Sequence, residues 1–174
     1  MTEPPSSAAV RKTLTVDVPL EHAFDVFTRR MNAWWPSTHH IGASPMQQAV
    51  LEPFDGGRWY ERSADGSECE WGRVLVWERP SRLVLAWHAN GAFQYDPDPA
   101  HASEVDVRFV AETAERTRVE LEHRHLDRHT VGSEALRKAI DSPGGWTAIL
   151  AAYRAVAESG STGISPSPDP RPAC

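Results

Sequence analysis

The stretch Ser142-Pro143-Gly144-Gly145-Trp146-Thr147-Ala148-Ile149-Leu150-Ala151-Ala152-Tyr153-Arg154-Ala155-Val156-Ala157-Glu158 is the last regular element of the chain. Trp146, Ile149, Leu150, Tyr153 and Val156 recur at helical spacing and form one apolar stripe. Ala148, Ala151, Ala152 and Ala155 add helix propensity and keep the flanks thin. Ser142 is placed to cap the first free amides, and Pro143 is tolerated at the next position because its missing N–H would be unpaired there anyway. A helix this apolar on one side needs a broad cover. Most of what precedes it reads as strand, so we expect an α+β fold in which a curved sheet wraps this helix.

Moving outward, Glu104–Ala111 and Thr117–His125 alternate, with Val105, Val107 and Phe109 on one face of the first and Val119, Leu121 and His123 on one face of the second. A connector from Leu126 to Ile140 is expected to contain a short helix from Ser133. Upstream, Glu68–Trp77 and Leu83–Ala89 form a hairpin. With Trp77 opposite Leu83, Leu75 would meet Leu85 and Arg73 would meet Trp87, although both faces are largely apolar and a one-residue shift carries little penalty. Gln47–Glu52 and Arg58–Arg62 are shorter strands joined by a Gly-Gly turn. Val10–Val18 is a half-buried strand ended by Pro19. Pro19 opens a helix on which Leu20, Ala23, Phe24, Phe27 and Met31 share a face, with Glu21 in its first turn and Arg29 and Arg30 in its last. Trp34-Trp35-Pro36 and the polar run Ser37–Gly42 read as loop or short helix. Residues 90–102 read as a long loop.

The chain has 174 residues, enough for one domain over residues 10–158. The Pro/Ser-rich arm 1–9 and the tail 159–174 are expected to be disordered. A net charge of -6 with scattered Lys and Arg argues against a nucleic-acid partner. No apolar run is long enough to span a bilayer, the N-terminus lacks signal-peptide character, and the 2 cysteines do not make a disulfide framework. The expectation is a cytoplasmic protein without membrane contact.

Seven tryptophans stand out: Trp34, Trp35, Trp59, Trp71, Trp77, Trp87 and Trp146. Any one of them more often fills a core than meets a ligand. Together they suit a pocket that stacks on a flat apolar molecule, with indole N–H groups as polar handles. His123-Arg124-His125 with His129 has strand spacing that suits zinc, but no carboxylate completes the pattern, and no metal site is assigned. The adjacent pair His39-His40 is expected to be solvated. Glu61, Glu68, Glu70, Asp106 and His88 sit on strands and could reach inward for acid–base work. No nucleophile motif, phosphate loop or cofactor fingerprint is present, so no catalytic residue and no cofactor is assigned.

Several ordered motifs resemble the activator-of-Hsp90-ATPase-like (AHSA1-like) branch of the START/Bet v 1-like superfamily, also called SRPBCC. They are Val16-Asp17-Val18-Pro19-Leu20-Glu21-His22-Ala23-Phe24, Trp34-Trp35, Gly56-Gly57-Arg58-Trp59, Asp65-Gly66 and Trp71-Gly72-Arg73-Val74. Further along come Glu78-Arg79-Pro80-Ser81-Arg82-Leu83 with Trp87, Glu104-Val105-Asp106-Val107, Thr117–His123, and Gly145-Trp146 with Leu150. The resemblance implies a helix-grip fold, a bent antiparallel sheet closed over a long C-terminal helix with a cavity between them. Lipid carriers, metabolite receptors, polyketide cyclases and co-chaperone domains share that scaffold, so the fold alone does not choose an activity. The expected function is binding of a small hydrophobic or aromatic ligand by Trp34, Trp35, Trp59, Trp71, Trp87, His88, Phe93, Trp146 and Leu150. Trp34, Trp35 and the 90–102 loop would gate the entrance. A protein-interaction module, chaperone-associated or self-associating as a homodimer, and a polyketide-cyclase-like acid–base enzyme are the alternatives.

Overall fold

The computed structural model describes residues 9–159; the rest of the expected N-terminal arm and C-terminal tail lie outside it. Seven strands form one antiparallel sheet: β1 (Val10–Val16), β2 (Met46–Leu51), β3 (Arg58–Ser63), β4 (Glu68–Glu78), β5 (Arg82–Trp87), β6 (Ser103–Thr113) and β7 (Arg116–Arg124). Their spatial order is β1-β7-β6-β5-β4-β3-β2, so β2 to β7 meander and β1 closes on β7. Among the described residues there are also four α-helices, α1 (Leu20–Thr28), α2 (Met31–Trp34), α3 (Ser133–Asp141) and α4 (Trp146–Glu158), and two short 3-10 turns, Pro99–His101 and Leu126–Arg128. Helix α4 packs against α1, α2 and β1. This is the helix-grip arrangement.

The core follows the alternation of the strands. Val105, Val107 and Phe109 of β6 and Val119, Leu121 and His123 of β7 are all buried on the concave face. Phe24 and Phe27 of α1 meet Phe109 edge-on, and Phe27 also meets Tyr153 of α4. The Tyr153 hydroxyl donates to the Ala23 carbonyl at 2.8 Å, which gives this buried phenol a partner. On the convex face, Asp106 is bonded by Arg82 and Arg124, and Glu104 by Arg124. These arginines hold the Asp106 carboxyl down at about 2 against the opposing effect of its burial.

Local departures from the sequence reading have steric causes. Helix α1 stops at Thr28 instead of reaching Met31, and Arg30, at φ -110° and ψ 27°, restarts the chain as α2. The break lets Met31, Trp34 and Trp35 all reach the core, where each is buried. In the β4–β5 hairpin Trp77 does face Leu83, but a bulge between Val74 and Val76 changes the partners beyond it. Val74 meets Leu85, Arg73 meets Ala86 and Gly72 meets Trp87. Leu75 is therefore 45% exposed while Val74 is 1% exposed. One extra residue is what lets Val74 and Trp77 both enter the core.

A second bulge sits where β3 pairs with β4. Trp59 is opposite Gly72 and Tyr60 is opposite Glu70, which leaves Trp71 as the extra residue. Gly72 is required there, because a Cβ would overlap the Ala86 carbonyl oxygen. The C-terminal helix also begins later than Ser142. Ser142 ends α3, donating from Oγ to the Ala139 carbonyl at 2.6 Å, and α4 starts at Trp146. Gly145 passes so close to α3 that a Cβ would collide with the Ile140 carbonyl.

Candidate functional site

One end of the grip is open. Between the sheet, the 38–41 loop and the α3–α4 junction lies a cavity of about 490 Å³, within the roughly 300–1,000 Å³ usual for small-molecule sites. Trp35, Trp71 and Trp87 form its indole wall, with Phe93, Ile140 and Ile149 as further apolar lining. The Trp71 ring reaches the wall from the β4 bulge, and its centroid lies 5.2 Å from that of Trp35. Trp59 stands behind this wall, edge-on to Trp35, Trp71 and Trp87 at 5.9, 5.5 and 5.7 Å. Trp146 backs it from α4, 5.9 Å from Trp87.

The polar side of the cavity is the Thr38–Ile41 loop. It is fastened by Glu61, a β3 residue with no solvent exposure. Glu61 accepts from the Ile41 amide at 2.8 Å, the Gly42 amide at 3.1 Å, the Trp71 indole N–H at 2.7 Å and His40 Nδ1 at 3.1 Å. Four donors converging on two oxygens is the environment of a carboxylate. Gly42 allows that approach, since a Cβ there would lie 2.6 Å from Glu61 Oε2. His39, the neighbouring residue, bridges the cavity mouth. Its Nε2 donates to the Gly144 carbonyl at 2.8 Å, and its Nδ1 accepts from the Thr38 hydroxyl at 3.1 Å. The Trp35 indole donates to the His39 carbonyl at 2.8 Å.

Behind the indoles runs a buried polar chain. His123 Nδ1 accepts the Trp146 indole N–H at 3.1 Å, so the proton of the neutral ring sits on Nε2 and is donated to Ser103 Oγ at 2.8 Å. The serine hydroxyl then donates to His129 Nε2 at 2.9 Å. Burial, with the neighbouring His129, pushes His123 down to about 3, and burial pushes His129 down to about 4. Both rings are neutral at neutral pH and are tied into the packing. His125 adopts φ 61° just past the end of β7, so it does not share the His123 face. Among the described residues no group of three or more His, Cys, Asp or Glu is placed to hold a metal ion.

Of the residues singled out in the sequence, Trp35, Trp71, Trp87 and Phe93 line the cavity. Trp34, Trp59 and Trp146 are core residues, with indole N–H groups bonded to the Val26 carbonyl, Met31 Sδ and His123. Leu150 is buried and borders a separate groove beside β1. His88 is on the outer sheet face, bonded through Nδ1 to the Asp96 carbonyl at 2.7 Å and stacked on Tyr95. Phe93 is 47% exposed at the cavity edge, where it takes the left-handed φ of 58°. Glu68 and Glu70 face Arg58 and Arg73 on the outer surface. The histidine pair His39-His40, read as solvated, lines the cavity instead. Adjacent residues do point apart on a strand, but a loop held by Glu61 at one end and Gly144 at the other brings both rings to one space.

The family model for activator of Hsp90 ATPase homolog 1-like proteins matches residues 17–158. The chain belongs to that family. Among solved structures, an anthrahydroquino-gamma-pyrone synthase, Txn09, solved as a complex, is 41% identical with a TM-score of 0.63, covering 88% of this chain and 99% of Txn09. CalC from Micromonospora echinospora, a self-sacrificing resistance protein, is 32% identical with a TM-score of 0.64, covering 89% of this chain and 97% of CalC. CalU16 from the same organism shares the fold at 20% identity and a TM-score of 0.54, over 87% of this chain and 76% of its own. A search of functionally curated proteins returns no match. Among the described residues no helix is long and apolar enough to cross a membrane.

Proposed function

We propose that this AHSA1-like domain binds a flat, largely apolar aromatic molecule in the cavity beside the α3–α4 junction. The observation that carries the reading is the wall of Trp35, Trp71 and Trp87 on a space of about 490 Å³. Indole faces favour stacked or edge-on aromatic partners over flexible chains. Burying roughly 200 Å² of apolar ligand surface contributes about 5 kcal/mol before ordering costs are subtracted. The relative at 41% identity is named as an anthrahydroquino-gamma-pyrone synthase, and the fused rings in that name have the rigid, flat shape such a wall accepts. Ion pairs such as Arg82–Asp106 and Arg124–Glu104 populate the convex sheet face, which favours the cavity over a docking surface there.

The test is a tryptophan-fluorescence titration of the full chain with an anthraquinone and, in parallel, with a linear fatty acid of similar carbon number. Saturable quenching by the fused-ring compound alone supports the reading. Equal binding of the fatty acid, or no binding of either, overturns it.

A further inference from the structure

Two titratable side chains line the cavity, His39 and His40, and their hydrogen bonds make them unequal. Both ring nitrogens of His39 are engaged, one by the Gly144 carbonyl and one by the Thr38 hydroxyl. His40 is held only through Nδ1, by Glu61 Oε2 at 3.1 Å. Glu61 is fully buried, its oxygens also receive two backbone amides and the Trp71 indole, and in that role it accepts and does not donate. The proton shared with His40 therefore belongs to Nδ1, and the neutral ring presents Nε2 as an open lone pair. Nε2 has no hydrogen-bond partner among the described residues, and the side chain keeps 23% exposure. A carboxylate that fixes the tautomer on one side of an imidazole and leaves the other nitrogen free is the arrangement of a general base.

We propose that His40, oriented by Glu61, is a proton acceptor that ionises an acidic hydroxyl of the bound aromatic molecule, the class being a phenol or an enol beside a carbonyl. In that step the ligand O–H bond breaks, its electron pair stays on oxygen, and the proton forms the Nε2–H bond. The imidazolium so formed is paired with the Glu61 carboxylate, and the ligand oxyanion is left beside it in a largely apolar cavity. The proton returns from Nε2 to the ligand atom that carries the charge after rearrangement. The cycle is a net isomerisation and consumes no oxidant or co-reactant. The proposal rests on the cavity being a site for a flat aromatic ligand.

The probe is 2-hydroxyanthraquinone, whose visible absorption moves to longer wavelength when its phenol ionises. Binding is read separately, by tryptophan quenching. His40→Asn keeps an amide donor for Glu61, and with it the loop, but offers no basic nitrogen. His22→Asn, on α1 and outside the cavity lining, is the control. The expected result is that wild type and both variants bind the dye within about threefold of one another. Wild type and His22→Asn should ionise the bound dye at a pH at least about one unit below that for His40→Asn. If His40→Asn ionises the dye at the wild-type pH, the base is overturned while the binding reading stands. If no protein is quenched, the binding reading falls and takes the base with it. Should His40→Asn alone lose binding, His40→Gln is measured in its place, and loss there too makes His40 a structural residue and overturns the proposal.

Discussion

Glu61 shows how much one residue can organise. It is a charged side chain with 0% exposure, and it is stable there because every lone pair it offers meets a donor. Replacing it with Leu leaves the Ile41 and Gly42 amides and the Trp71 indole unpaired, so we expect a loss of about 3–5 kcal/mol, read from the urea midpoint. Burial dominates His123 and His129 in the opposite sense. Their folded values of about 3 and about 4 lie below the 6.5 of a free histidine, so the unfolded chain binds the protons first as pH falls. Their contribution is complete above pH 6.5 and is lost as pH drops towards those folded values. At about 1.4 kcal/mol per pH unit per ring below pH 6.5, the two should together cost on the order of 4 kcal/mol between pH 7 and pH 5. The half-buried surface residue His101, raised by Asp96, works weakly the other way. Urea unfolding at the two pH values checks this, and His129→Gln, which keeps an acceptor for the Ser103 hydroxyl, should roughly halve the difference. Both histidines were visible in the sequence, but which chemistry they belong to was not, because burial and the Trp146 N–H are tertiary facts.

Among the elements, β4 carries the most information. Its two bulges, at Trp71 and at Leu75, bend the sheet around the helices and choose which side chains enter the grip. The alternation of apolar residues in the β4–β5 hairpin was plain, but it filled both faces, and so the pattern did not hold the register. The observed pairing makes a sharp mutational contrast. Leu75→Thr should change stability by no more than about 0.5 kcal/mol, because the side chain is 45% exposed. Val74→Thr buries a hydroxyl opposite Leu85 and should cost about 1–2 kcal/mol. Thermal or urea unfolding of the two variants decides between this register and the unbulged one, which reverses the order. The start of α4 teaches the same lesson. Ser142 and Pro143 form a sound helix opening by local rules, yet the tight passage of Gly145 under α3 delays the helix to Trp146.

For the molecule as a whole, the question is where the helix grip leaves space. Among the described residues the aromatic core is continuous from Phe24 and Trp77 at one end to Trp87 and Trp146 at the other, and the cavity opens where the indoles meet the 38–41 loop. Filling it from α3 should therefore separate binding from folding. Ala139 lines the cavity and is half-buried. Ala139→Trp should reduce affinity for a fused-ring ligand at least about tenfold, a change of roughly 1.4 kcal/mol, while the unfolding midpoint stays near that of the wild type. Isothermal calorimetry with an anthraquinone, set beside thermal unfolding, measures both.

The order of strands and helices, the apolar stripe of α4, the inward faces of β6 and β7 and the family motifs were all readable along the chain, because each depends on neighbours within a few residues. The site was only partly readable. Trp35, Trp71, Trp87 and Phe93 reach the cavity, whereas Trp34, Trp59, Trp146, Leu150 and His88 have other places. An indole has the same sequence signature whether it walls a cavity or fills the core behind one. The His40–Glu61 pair spans 21 residues, and no local period relates a loop histidine to a strand carboxylate. Which side chains meet there was settled by the sheet closing on the helix, where bulges and close glycine contacts set the spacing that the linear pattern leaves free.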